Sequence, residues 1–408
     1  MLRTLLAGAC LALLAAAPAD ARTWRVQPGA DAQQRLQSAL IGARPGDTVS
    51  LARGRFELTA GLSLDVDRVT LRGEGPDRSI LSFTGQTLGA EGLLVTSDDV
   101  TLRNFGVENT KGDGIKSKGA DRIRYLDLRV GWAGEPKASN GAYGIYPVSS
   151  RDVLVDRCIV RGASDAGIYV GQSRNIVIRR SLAEFNVAGI EIENSFNADV
   201  HDNVATRNAG GILVFDLPGL PQQGGHSIRV FRNSIERNDT RNFAPPGNIV
   251  ASVPTGTGVI IMANRNVHLF DNVIGENGTA NVLVTAYGLE IADASYNALP
   301  RDVMIRNNLF GRSGYAPAGD LAVLKQAGVP LPDVLWDGVT TYIAAGTPRN
   351  EPVRLSLKDN RSARNTPVSF LSLGLPVASS PPTDATPDAT MPGILVIPEP
   401  APVRLPQD

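Results

Sequence analysis

The chain has 408 residues, 42% hydrophobic and 5% aromatic, with 42 Gly, 27 Pro and a formal net charge of −1. That charge excludes a global basic field able to hold a nucleic-acid backbone. The apolar content excludes a disordered chain, and the scarcity of aromatics leaves a core of Val, Ile, Leu and Ala, which suits a narrow interior.

Residues 1–21 read as a secretory signal peptide. Arg3 precedes an apolar run over 5–17, and Ala19-Asp20-Ala21 fits a small-x-small cleavage site. The expected location is therefore periplasmic or secreted. No later stretch reaches about 18 apolar residues, so no membrane span is expected after cleavage. Cys10 raises a lipoprotein alternative, but Ala7-Gly8-Ala9 lacks the Leu three residues before the Cys. Cleavage leaves Cys158 alone, without an intramolecular disulfide or a Cys-based metal site.

Residues 22–45 read as an N-terminal cap. A helix pattern over 31–43 runs into the turn-and-strand signal Pro45-Gly46-Asp47-Thr48-Val49. Such a helix covers the open strand edges at the end of a stacked β architecture.

From 46 to 311 the chain repeats itself. Gly92, Gly114, Gly144, Gly167, Gly189, Gly211, Gly258 and Asn281 each lead a short apolar strand, at steps of 22, 30, 23, 22, 22, 47 and 23 residues. The long steps contain insertions at 134–140, 216–225 and 239–254. A second strand with period-two alternation recurs, as in Val153-Leu-Val-Asp-Arg157 and Ile176-Val-Ile-Arg-Arg180. Asn203, Asn272 and Asn308 follow at equivalent turns, with Cys158, Ser181 and Ser234 read into the same column. Small polar side chains stacked once per turn suit a hydrogen-bonded ladder, so Cys158 reads as a packed residue rather than a reactive thiol. A unit of about 22 residues with two or three strands predicts one rung of an all-β, right-handed single-stranded parallel β-helix, with rungs about 4.8 Å apart. Residues 312–375 read as a C-terminal cap or side-packing region. From Pro376 onward nine prolines predict an extended, poorly ordered tail, in which 394–397 is an apolar run able to dock.

The run Ala43-Arg44-Pro45-Gly46-Asp47-Thr48-Val49 resembles the opening of pectate-lyase-like right-handed parallel β-helix proteins. Gly144-Ile-Tyr-Pro-Val148, 164–172, 187–194 and 211–218 resemble a family of exported bacterial β-helix repeat proteins, often encoded beside a c-type cytochrome-like protein. The resemblance covers most of 24–340 and implies a fold and a compartment, with the chemistry unassigned. The Asp-Pro-His-Asp motif of alginate C5-epimerases, the paired-Asp strand of polygalacturonases and the Gly-Gly-x-Gly-x-Asp calcium repeat are not found. No cofactor signature is evident, no metal ligand set is assigned, and a bound calcium ion stays open.

With each lead Gly as position zero, positions one and three are apolar and face inward, so positions two and four face outward. Position two reads Leu94, Lys116, Tyr146, Tyr169, Glu191, Leu213, Ile260, Leu283. Position four carries Lys118, Gly171, Glu193, Phe215 and Met262 across the same rungs. The polar middle makes Tyr146, Tyr169, Glu191 and Glu193 the candidate catalytic residues, with Lys116, Lys118, Tyr143 and Asp216 as candidate substrate contacts. A carboxyl pair on one strand can share acid–base work on a sugar, a tyrosine can pass a proton, and Lys116 can neutralise a uronate. The same residues also admit plain readings: stacked tyrosines as packing partners, glutamates as a solvated face, Asp113 and Asp165 as turn residues. The later apolar rungs would form a large patch that the insertions or the C-terminal region should cover. The expected function is binding or processing of a polysaccharide by lyase-, epimerase- or hydrolase-like chemistry. The alternative is a non-catalytic scaffold binding another exported protein, such as a cytochrome c-type one.

Overall fold

The computed structural model describes residues 21–374, the backbone of 384–387, and residues 397–406. The signal-peptide reading, with Cys10, and the tail residues 375–383 and 388–396 lie outside the described residues.

Each rung contributes three strands, as in Tyr143–Val148, Arg151–Asp156 and Ile159–Arg161, before the next rung opens at Ala166–Gly171. Equivalent strands pair in parallel and build three sheets of 12, 12 and 11 strands. The Gly-led strands form the first sheet, in the register their alignment predicts: Tyr169 pairs with Glu191, Glu191 with Leu213, and Leu213 with Ile260. Inward positions stack Ile145, Ile168, Ile190 and Ile212 as a fully buried apolar column. The lead glycine is a matter of room. A Cβ on Gly144 would lie 2.2 Å from Val160 Cγ1 and 2.6 Å from the Gly167 carbonyl oxygen.

Between the second and third sheets the chain turns through one left-handed residue. Asp202, Arg232 and Asp271 have φ of 55°, 53° and 55°. The next residue forms the ladder: each side-chain Nδ2 donates to the following Oδ1, from Asn203 to Asn233 (3.0 Å), Asn233 to Asn272 (2.9 Å), Asn272 to Asn308 (2.9 Å) and Asn308 to Asn360 (3.0 Å). Asn233, not Ser234, occupies this column. Ser234 begins the third-sheet strand Ser234–Glu236, and an amide can donate and accept along the stack at once. Cys158 sits buried at the ladder's head, its backbone N–H donating to Ser181 Oγ at 3.1 Å, and burial pushes its thiol up to about 12. A second ladder, unmarked in the sequence alignment, links Asn186, Asn208, Asn238 and Asn277 at the turn back to the first sheet.

The helix Ala32–Gly42 caps the first rung, burying Ala32, Leu36, Ala39 and Leu40. Its Gln33 and Gln37 side-chain oxygens accept from the backbone N–H groups of Thr59, Ala60 and Ser63, so the open strand edge is satisfied by side chains. At the other end the solenoid continues beyond 311. Val334–Trp336, Leu355–Lys358 and Ser369–Ser372 extend the first and second sheets in parallel. The 312–375 region thus supplies further rung strands, with a short helix (Leu321–Gln326) and a hairpin (Thr341–Ala344, Thr347–Asn350) as excursions. Within the tail, 397–406 lies against the second sheet, where Glu399 pairs with Arg229 and Arg306.

Candidate active site

The outward face of the first sheet gathers three tyrosines. Ring centroids lie 4.4 Å apart for Tyr143–Tyr146, 4.7 Å for Tyr143–Tyr169 and 4.9 Å for Tyr146–Tyr169. Lys116, one rung before Tyr146, holds its Nζ 4.9 Å from that ring centroid and 3.4 Å from both Glu91 and Asp113. Tyr143 belongs to position minus one, which strict alternation would send inward. The lead glycine points its own missing side chain at the core, so the residue before it swings outward.

Below the tyrosines lie the acids. Glu191 is 1% exposed and Glu193 9% exposed, so neither is a solvated surface residue. Tyr169 Oη donates to Glu193 Oε1 at 2.6 Å. This diagonal reach depends on Gly171, where a Cβ would stand 2.2 Å from the Tyr169 hydroxyl. Glu191 Oε2 has no hydrogen-bond partner. Asp165, only 6% exposed, joins the group from the turn: Tyr143 Oη and Asn248 Nδ2 both donate to its Oδ2, each at 3.3 Å. Sequence reasoning left Asp165 and Asp113 as turn residues. The missed signal was their place just before the lead Gly: Asp113 one residue before Gly114, the position Tyr143 holds before Gly144, and Asp165 two residues before Gly167.

Burial governs the protonation of these groups. It raises Asp165 to about 7, helped by the nearby Glu193 charge and opposed by the hydrogen bonds from Tyr143 and Asn248. Burial, then Asp165 and Glu193, hold Glu191 well above the carboxylate range. Glu193 is raised by burial against the opposing bond from Tyr169. Asp113 is raised by burial against Lys116. The site therefore keeps carboxyl protons near neutral pH, and its tyrosines, pushed up by burial and by these acids, stay phenolic.

The insertion 239–257 covers this face. Phe243, Ile249, Val250 and Val253 pack with Tyr169, Leu213, Phe215 and Ile260 in one apolar cluster, so the chain's own segments cover the later rungs. Tyr143, Tyr146 and Lys116 remain half-exposed at the edge. Farther along, a cavity of about 520 Å³ lies among Phe215, Ile260, Met262, Leu283 and Leu335. Asp216 is buried and engaged in structure: its carboxylate accepts from the Gly224 and Gly225 N–H groups at 3.0 and 2.8 Å, while its carbonyl accepts from Tyr296 Oη at 2.5 Å. Lys118 stands exposed at the end of its strand. Among the described residues no group of three or more His, Cys, Asp or Glu side chains is placed to hold a metal ion, and no helix is long and apolar enough to cross a membrane.

No curated protein matches the chain in sequence. Residues 79–219 match the family model of a right-handed β-helix region. Among solved structures, the DFA-IIIase of Arthrobacter chlorophenolicus A6 in complex with GF2 is similar at 14% identity and a TM-score of 0.50, covering 77% of this chain and 92% of that one. The A-module of the Azotobacter vinelandii mannuronan C-5 epimerase AlgE4 is similar at 15% identity and a TM-score of 0.48, over 82% and 92% of the two chains. An alginate lyase from Paenibacillus sp. str. FPU-7 follows at 15% identity and a TM-score of 0.44, over 84% and 95%. Likeness at this identity carries the fold and not the chemistry. Family model, strand order and register agree: residues 79–219 match a right-handed β-helix region, and the chain folds as a right-handed parallel β-helix.

Proposed function

We propose that this protein is exported and acts on a polysaccharide laid along the outer face of its first sheet. The reading is carried by one observation: half-exposed Tyr143 and Tyr146 lead inward to Tyr169, Glu193 and the proton-holding Asp165. Aromatic faces take sugar rings, and a carboxyl that keeps its proton near pH 7 is suited to general-acid work. Tyr169 and Glu193 form a hydrogen-bonded pair able to move a proton, the element that lyase, epimerase and hydrolase chemistry share. Lys116, already between two acids, adds a cation for a uronate carboxylate. The substrate enters from the Lys116–Tyr146 edge, because the insertion covers the other side.

The test is release of unsaturated uronates or reducing ends from a panel of acidic polysaccharides. The parent should act on at least one polymer, and Tyr169→Phe and Glu193→Gln should each lower the rate by about 100-fold, the scale of lost acid–base assistance. Unchanged folding, checked by circular dichroism, must accompany the loss. A parent that binds a polymer without cutting it turns the reading to a non-catalytic scaffold, which the full burial of Glu191 favours. In that case the apolar cavity is the place to look for an exported protein partner.

A further inference from the structure

The outer face of the second sheet carries a second constellation. Residues alternating with the core run in register from Val177 through Asp199, Arg229, His268 and Met304 to Ser356. The whole column is buried, His268 to 1% exposure, yet the cover is thin. Residues 397–406 descend along it. Glu399 lies 3.0 Å from Arg229 Nε and 2.6 Å from Arg306 Nη2. The Val403 N–H donates to Asp199 Oδ2 at 3.1 Å, and Arg124 Nη2 donates to the Pro406 carbonyl at 3.1 Å. In a polyproline-like conformation the seven residue steps from Glu399 to Pro406 cover about 22 Å. Five rung spacings cover about 24 Å. The segment therefore lies as an extended strap parallel to the solenoid axis.

The strap matches the column's charge but not its hydrogen-bonding groups. Nine buried side-chain atoms among the described residues have no hydrogen-bond partner, and five of them belong to this column: Asp199 Oδ1, Arg229 Nε, both ring nitrogens of His268, and Ser356 Oγ. Arg229 Nε is at ion-pair distance from Glu399 but off the hydrogen-bond line, and the strap offers His268 only the Pro398 carbonyl. The cause is composition: Pro398, Pro400, Pro402 and Pro406 have no N–H to offer, and Ala401 has no polar side chain. A buried polar atom left without a partner is costly, so the column is better suited to an occupant that can both donate and accept. Its cations are preset. The Arg229 and Arg306 guanidiniums stack 4.8 and 4.1 Å from the Phe231 and Phe270 centroids, and those rings stack 4.9 Å apart.

We propose that this column is a binding groove for an extended, carboxylate-bearing polysaccharide, and that residues 397–406 are a built-in occupant which the polymer displaces. A uronate carboxylate replaces that of Glu399 between Arg229 and Arg306. Hydroxyls, which donate and accept, satisfy Asp199, His268 and Ser356 as proline cannot. An acidic peptide would supply the charge but far fewer hydroxyls, so the orphaned atoms favour the sugar. Six of the ten strap residues are exposed, which makes release inexpensive. The groove uses no residue of the first-sheet site.

The experiment uses the full chain and oligogalacturonate, with dextran as the neutral control. In the unmodified protein, oligogalacturonate and not dextran should accelerate hydrogen exchange at the 403–405 amides. By calorimetry the double variant Ile397→Ser/Glu399→Ala should bind oligogalacturonate about tenfold tighter than the parent, the scale of removing one competing charge-assisted pair, and Arg306→Gln should erase the gain. A Tyr169→Phe background should leave both readouts unchanged, which separates this groove from the first-sheet proposal. The proposal is overturned if strap exchange and affinity are the same with and without the strap substitutions. It is also overturned if a free peptide of the 397–406 sequence binds the double variant while oligogalacturonate does not, which would make this a peptide groove.

Discussion

The first and second sheets are built from the same rung, yet their outer faces are covered in opposite ways. On the first sheet, buried acids and tyrosines lie beside an apolar insertion that fills space with Val250 and Val253. On the second, buried Arg229 and His268 lie under a thin proline strap that supplies one carboxylate, Glu399. The first cover is part of a packed core, whereas the second is a charge match with orphaned groups beneath it. A solenoid's inward columns are fixed by the stack, so its chemistry is set by what each outward column is covered with.

The sharpest way to break this contrast is to charge each cover in turn. Val250→Asp should cost about 3–5 kcal/mol, the scale of an unpaired charge in an apolar contact, and Ile397→Ser about 1 kcal/mol with little effect on the rest of the fold. Urea unfolding measures both, and equal losses would show that the strap is as integral as the insertion.

The two faces should also titrate in opposite directions. Asp165 is raised from 3.8 to about 7, so its contribution is full below pH 3.8 and is lost as pH rises through 7. That shift corresponds to at most about 4 kcal/mol. Burial lowers His268 from 6.5 to about 4, so its contribution is present above pH 6.5 and is lost as pH falls toward 4. After allowance for solvent around the thin strap it amounts to about 2 kcal/mol. Thermal melting against pH should therefore decline on both sides. Asp165→Asn should flatten the alkaline side and His268→Gln the acid side. Crossed effects would mean that each face has been assigned the wrong titrating group.

A finer test concerns one atom. Gly171→Ala places a Cβ on the Tyr169 hydroxyl and should cost about 1–3 kcal/mol while breaking the bond to Glu193. Alanine at the exposed Gly219, where nothing lies within 4 Å but φ is +73°, should show only the backbone cost of about 1 kcal/mol. If the two variants melt alike, the diagonal reach of Tyr169 has no energetic weight.

Much of this was legible because a solenoid turns sequence period into space. The lead-glycine alignment placed Tyr169 against Glu191 and Glu193 against Phe215, as the strand pairing has it. It failed where the rule of alternation stopped short. Only positions one to four were given a direction, so Asp113 and Asp165, just before their lead glycines, were left as turn residues. It failed again by one residue at Asn233, whose neighbour Ser234 was read into the column. His268 was set aside as an ordinary strand residue, because its neighbours on the outward side come from residues more than 100 positions away.

By itself the sequence determined the rung, its inward columns and the stacking register, since those follow from local alternation and from glycines that must lie against the next turn of the chain. Tertiary structure alone decided which outward side chains are buried and therefore protonated, paired or orphaned. Burial of an outward residue depends on segments that return from elsewhere, 239–257 and 397–406 here, and no periodicity records where they land.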